Sequence, residues 1–237
     1  ALKGLRPVVA IYSTFLQRSL DQIIHDVALD NLPVVFCIDR AGLVGDDGPT
    51  HHGLFDLSFL RSVPGALIMA PRDENSFRQM LYTAIANTKG PSFIRYPRGC
   101  GPGSELDKPF QILPVGTPEV VKSGSGCALI AAGDFFSLAS AAREMLESRG
   151  ITPAIIDARF IKPFDRQSYV HIFEEYPDIV TLENNSLEGG FGSALLSFAS
   201  DCNLHRIPRF LRLGLPDQFV SHGSIDKLLM SLALDPE

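Results

Sequence analysis

A chain of 237 residues, 45% hydrophobic and 20% charged, has room for one large or two ordinary domains and the composition of a folded protein. Its net charge of −6 argues against a surface made for nucleic acid or anionic lipid, so an anionic substrate would need local arginines. No apolar run approaches the roughly 18–20 residues of a membrane span, and Cys37, Cys100, Cys127 and Cys202 are dispersed without a CxxC pair, which suits free thiols.

PVVAIY is a short, nearly continuous apolar run, the pattern of a strand covered on both faces. FLQRSLDQIIHDVALDN follows, with Leu16, Leu20, Ile23, Ile24, Val27 and Ala28 on one helical stripe. Strand PVVFCID, a glycine-rich loop, strand GALIMAP, helix DENSFRQMLYTAIANT with Asp73 or Asn75 as its cap, and strand SFIRYPR complete a first unit. From Gly99 to about Pro118 glycine and proline dominate and no period holds, as in a linker. The alternation restarts with strand CALIAAGD, helix FFSLASAAREMLESR stopped by Gly150, strand TPAIIDARF and a short helix after Asp165. Strand DIVTLEN, helix GSALLSFASDC, strand RFLRLGLP and helix SIDKLLMSLAL finish it. This order predicts an α/β protein of two consecutive three-layer α/β/α domains with mostly parallel sheets, residues 1–100 and 119–237, joined by a linker over 101–118. The opening ALKGLRP and the closing LALDPE both read as cut ends.

Ligands of open parallel sheets bind beyond the carboxyl ends of the strands. In the first unit that rule collects Tyr12, Ser13, Thr14, Phe15 and Arg18 after the first strand. It adds Asp39, Arg40 and the glycine-rich loop after the second, and Arg95, Tyr96 and Arg98 after the fourth. Phe15 could equally start a helix as a hydrophobic contact, Tyr12 could be core, and Arg40 and Arg98 could be surface ion pairs. Two planar guanidinium forks at two strand ends are nevertheless suited to clamping a phosphate.

The loop GLVGDDGPTHHG spans Gly42–Gly53. Adjacent His51 and His52 lack the HxH or HxxxH spacing that turns two imidazoles onto one ion, and Asp46–Asp47 lacks the further oxygen ligands of a calcium loop, so no metal site is expected. A solvated turn and an acid–base histidine with a carboxylate neighbour both remain open. In the second unit Gly189, Gly190 and Gly192 stand where a phosphate-binding turn would, but the spacing is not G-x-G-x-x-G, which favours tight packing. His25, His171, His205 and His222 read as structural or surface residues.

YSTFLQR, DRAGLVGDDGPTHHG, MAPRDENSFRQMLYTA, RYPRG, DARFIKPFD and GLPDQF together resemble the 1-deoxy-D-xylulose-5-phosphate synthase family, a branch of the transketolase-like, thiamine-diphosphate-dependent enzymes. The likeness spans essentially the whole chain; YSTFLQR with the loop motif is its specific part, and RYPRG alone would be shared more loosely. It implies a transketolase-like pyrimidine-binding domain lacking its first elements, followed by a transketolase C-terminal domain lacking its last helix. The implied reaction joins pyruvate to glyceraldehyde 3-phosphate with loss of carbon dioxide. This opens the non-mevalonate isoprenoid route and feeds thiamine synthesis, in a homodimer of the bacterial cytoplasm or plastid stroma. By the same resemblance Phe15 stacks on the aminopyrimidine of thiamine diphosphate with Arg18 close by. Tyr12, Arg40 and Arg98 hold the phosphorylated aldehyde, His51 moves a proton and Asp47 binds substrate hydroxyls, with Asp46 and His52 as loop structure. The family's pyrimidine glutamate is not in the chain, nor is the N-terminal domain that holds Mg²⁺ and the cofactor diphosphate. The chain alone is therefore expected to be inactive and to need that domain as partner. The rival readings are a 2-oxoacid dehydrogenase beta subunit or other transketolase-group enzyme, and a non-catalytic dimerisation platform.

Overall fold

The computed structural model describes residues 1–235. Its elements alternate as the apolar periods require. The first unit holds β1 (Val8–Tyr12), α1 (Ser13–Leu16), α2 (Leu20–Gln22), β2 (Val35–Asp39), α3 (Asp56–Leu60), β3 (Leu67–Met69), α4 (Glu74–Ala86) and β4 (Ser92–Arg95). The second holds β5 (Glu119–Lys122), β6 (Cys127–Ala132), α5 (Phe136–Glu147), β7 (Ala154–Asp157), β8 (Phe160–Lys162), α6 (Arg166–Glu175), β9 (Asp178–Ser186), α7 (Phe191–Ser200), β10 (Arg209–Leu215) and α8 (Ile225–Ser231).

Two five-stranded sheets result, ordered β1-β2-β4-β3-β8 and β10-β9-β6-β7-β5. All pairings are parallel except β8 on β3 and β5 on β7. The expected single strand TPAIIDARF is therefore two strands. β7 stays in the second sheet, the chain turns at Arg159 with φ 55°, and β8 crosses to close the first sheet. One buried apolar cluster accordingly runs through both units, from Ile38 and Ile68 to Ile130, Ile156 and Tyr169.

Two further expectations change. β1 pairs only with β2, and Val8 and Val9 are exposed at 50% and 36%, so this strand is an uncovered edge rather than a doubly covered one. The helix after it is irregular: a 3-10 turn at Gln17–Ser19 separates α1 from α2, and Ile23–Ala28 winds as a π-helix, with Leu29 N–H donating to Ile24 O at 2.9 Å. The apolar stripe survives because Leu16 and Ile23 are fully buried and Leu20, Ile24, Val27 and Ala28 pack against them. Local winding adapts to packing here rather than the reverse.

No helix or strand occurs between residues 96 and 118, but the segment is strapped to one face of α4. Glu74 accepts from Gly103 N, Ser104 N and Ser104 Oγ, Gln79 Oε1 accepts from Gln111 N at 2.7 Å, and Thr83 Oγ1 from Leu113 N at 2.9 Å. Asp73, not Asn75, caps α4 through a capping box with Ser76.

Candidate active site

β1 ends at Tyr12 and the chain turns at once into α1, whose Ser13 and Leu16 point inward while Phe15 is left 50% exposed. Tyr12 and Phe15 stack with centroids 5.1 Å apart at 14°. At the tip of β2, Asp39 accepts from both the backbone N–H of Arg40 (2.7 Å) and its Nη1 (2.6 Å). That grip holds Arg40 at φ 55°, with its guanidinium 3.9 Å from the Tyr12 ring centroid. On the far side of the file, His51 meets Phe15 edge-on at 6.2 Å. Arg40, Tyr12, Phe15 and His51 thus form one continuous row drawn from two strand tips and the loop.

The loop is closed at its neck by reciprocal hydrogen bonds between Gly42 and Gly53, 2.7 and 2.8 Å. Arg98, beyond β4, donates to Asp47 Oδ2 at 2.8 Å and to Val44 O at 3.2 Å, so the third strand tip is tied to the same loop. His51 Nδ1 lies 3.0 Å from Thr50 Oγ1. His52 is 2% exposed and plays a different part. Its Nδ1 accepts the Val44 N–H at 3.1 Å, so its Nε2 carries the proton and donates to Ser221 O, also at 3.1 Å. That neutral imidazole is a bridge between domains. Arg18 is exposed one helical turn beyond Phe15, and Asp46 is exposed on the loop.

The rim rule misplaces Arg95, which is 3% exposed and points into the domain junction. It pairs with Asp56, Nε to Oδ2 at 2.9 Å, and its Nη2 donates to Asn184 O at 3.0 Å. The glycine cluster of the second unit is likewise occupied from within. Glu183 accepts from Phe191 N (2.6 Å) and Gly192 N (2.8 Å), capping α7 where an outside anion would otherwise sit. A Cβ at Gly190 would overlap that carboxylate. Burial pushes the Glu183 carboxyl up to about 7, against the opposing pull of the two N–H groups, Arg95 and Arg61. Asp56 carried no spacing signal because its partner lies 39 residues off, and Glu183, eight residues before Phe191, belongs to no periodic motif.

Among the described residues no group of three or more His, Cys, Asp or Glu could hold a metal ion. No helix among them is long and apolar enough to cross a membrane. The concavities lined by Arg72, Asn75 and Glu119 and by Phe173, His205 and Arg206 share no residue with the row. The row is an open half-site.

Residues 1–102 match the family "Transketolase, pyrimidine binding domain", and residues 116–237 match "Transketolase, C-terminal domain". The chain belongs to the transketolase family. Its sequence is 52% identical over 235 residues to a protein of Chlorobium phaeovibrioides and 49% identical over 237 residues to one of Pelotomaculum thermopropionicum, both named 1-deoxy-D-xylulose-5-phosphate synthase. Each alignment takes in 99% or more of this chain, which spans 37% of the length of those relatives. Among solved structures, a split-gene transketolase described as an inactive β4 tetramer superposes with a TM-score of 0.87 at 26% identity, covering 99% of this chain and 74% of that one. A transketolase mutant from Pichia stipitis shares the fold, with a TM-score of 0.77 at 19% identity over 97% of this chain and 32% of its own. The resemblance read from the loop and strand-tip motifs of this transketolase-family chain, and its two-domain α/β class, are borne out.

Proposed function

We propose that the chain is the pyrimidine-binding and C-terminal portion of a 1-deoxy-D-xylulose-5-phosphate synthase, condensing pyruvate with glyceraldehyde 3-phosphate and releasing carbon dioxide. The observation that carries this reading is the row Arg40–Tyr12–Phe15–His51 with the Arg98–Asp47 pair beside it. It offers a cation, a flat apolar plate and a proton carrier side by side.

The residues present fit thiamine diphosphate in part. Phe15 leaves an aromatic face half exposed, suited to a pyrimidine ring, with the Arg18 cation one turn on. Nothing among the described residues fits Mg²⁺. In this reading the metal and diphosphate belong to an N-terminal domain of the synthase. When bound, the cofactor supplies the electron sink for decarboxylation and carbon–carbon bond formation. Arg40 and Arg98 bind the phosphate of the aldehyde, and Tyr12 keeps Arg40 in line. Asp47 accepts from substrate hydroxyls, and His51, with Nδ1 beside Thr50, moves the proton at Nε2. His52 takes no part, both of its nitrogens being engaged in holding the loop. The setting is a homodimer in the cytoplasm.

The chain alone is then inactive, and the description of the similar split-gene β chain as an inactive tetramer supports this. The test joins the chain to the diphosphate-binding domain of a relative and assays pyruvate with glyceraldehyde 3-phosphate. Product from the joined protein, with neither turnover nor tight thiamine diphosphate binding by the isolated chain in calorimetry, is the expected result. Absence of product from a folded, cofactor-loaded joined protein sinks the reading.

A further inference from the structure

The loop that carries Asp47 and His51 leaves the first sheet, yet part of its hold comes from the second domain. The end of β9 grips it at both ends. At the entry, the Leu43 N–H donates to Asn184 Oδ1 at 3.0 Å; at the exit, Ser186 N donates to Leu54 O at 2.8 Å. The orientation of the Asn184 carboxamide is fixed chemically. Its oxygen must face the Leu43 N–H, and its nitrogen donates to Asp134 Oδ2 at 2.7 Å. Asn184 is 4% exposed, Leu43 1% and Val44 2%, so water replaces none of these bonds. Between those anchors, Gly223 N reaches Gly45 O at 3.4 Å and His52 reaches Ser221 O.

The loop glycines report the same contact. A Cβ at Gly42 would overlap the Asn184 carboxamide, and one at Gly48 would press on His222. Both glycines hold positive φ, 83° and 72°. They supply a backbone shape and also the room into which the second domain fits.

We propose that Asn184 is a positioning residue for the substrate-facing loop, setting Asp47 and His51 through the Leu43 N–H. The proposal rests on the function assigned above to those two residues. The second domain thereby enters the chemistry without touching substrate. Asn185, the next residue, has its side-chain amide nitrogen engaged with Ser186 O at 2.8 Å and Ser58 Oγ at 3.3 Å and holds no part of the loop.

The experiment uses the chain joined to its diphosphate-binding domain, with Asn184→Ala and Asn184→Ser. In Asn184→Ala, hydrogen exchange of the amides over 43–52 quickens about tenfold, the equivalent of one buried hydrogen bond, while α4 and α7 keep their rates. The kcat falls and the KM for glyceraldehyde 3-phosphate rises, while the KM for pyruvate stays. Asn184→Ser keeps a small hydroxyl able to accept from Leu43 N–H or donate to Asp134 and falls between the two; it also serves as the reading if the alanine variant does not fold. Loop exchange unchanged from the parent in an active enzyme overturns the inference, as does quickened loop exchange with kcat and the KM for glyceraldehyde 3-phosphate both unmoved. Quickened loop exchange in a protein whose parent makes no product leaves Asn184 as the loop's anchor and overturns the functional reading instead.

Discussion

The guanidinium of Arg40 lies 3.9 Å from the centroid of the Tyr12 ring, and the Asp39 carboxylate accepts from its Nη1 at 2.6 Å. A cation held over a ring face in a half-exposed setting is worth about 0.5–1 kcal/mol. In the joined enzyme Tyr12→Phe keeps the ring and leaves the KM for glyceraldehyde 3-phosphate within about twofold. Tyr12→Ala releases Arg40 and raises that KM about two- to fivefold. Equal KM values for the two variants, measured by steady-state kinetics, would remove Tyr12 from the phosphate grip.

Arg98 and Asp47 make a 2.8 Å ion pair, but their side chains are 44% and 34% exposed. Such a pair contributes little to stability, in the range of about 0–1 kcal/mol. Asp47→Asn should therefore move the melting temperature only slightly while cutting turnover by an order of magnitude or more. A large loss of thermal stability with turnover intact contradicts the role given to Asp47.

Arg95 and Asp56 behave oppositely. Their side chains are 2% and 0% exposed, and the pair sits where the two domains meet. Removing one partner leaves a buried charge unpaired, at a cost of about 3–5 kcal/mol. Arg95→Ala and Asp56→Ala should each lower the denaturant midpoint severely, and the double variant should lose less than the sum. A simple additive loss in that double-mutant cycle would mean that the two are not coupled.

Glu183 gives a pH signature. Burial raises its carboxyl from 4.5 to about 7, so the folded chain binds this proton more readily than the unfolded one. Its contribution to stability is full below the unfolded value and is lost as the pH climbs through about 7. Asp157, raised by burial to about 6, acts in the same direction. The melting temperature should fall between about pH 5 and about pH 8. In Glu183→Gln that fall should shrink but not vanish, with lower stability throughout because one N–H at the start of α7 loses its acceptor. Identical slopes for the two proteins would remove Glu183 as the titrating group.

The sequence made the strand tips legible because the carboxyl-end rule depends only on the order of elements. It therefore brought Tyr12, Phe15, Arg40 and Arg98 onto one rim without knowledge of packing. It failed at Arg95, one residue short of that rim, since the pleat turned its side chain toward a partner 39 residues away. It also carried one strand from Ala154–Asp157 on to Phe160, the first residue of the next, because an extended segment carries no mark of which sheet each half will join. The hold of Asn184 on the loop could not be seen for the same reason. It is a contact across 141 positions, and a lone asparagine at a strand end has no period.

The crossing of β8 sets how the molecule can move. A hinge between the two lobes would have to peel Phe160–Lys162 off Leu67–Met69 and split a shared apolar interior. Swinging the lobes apart would break both at once. The pair therefore turns as one piece, with the 42–53 segment fastened to both halves.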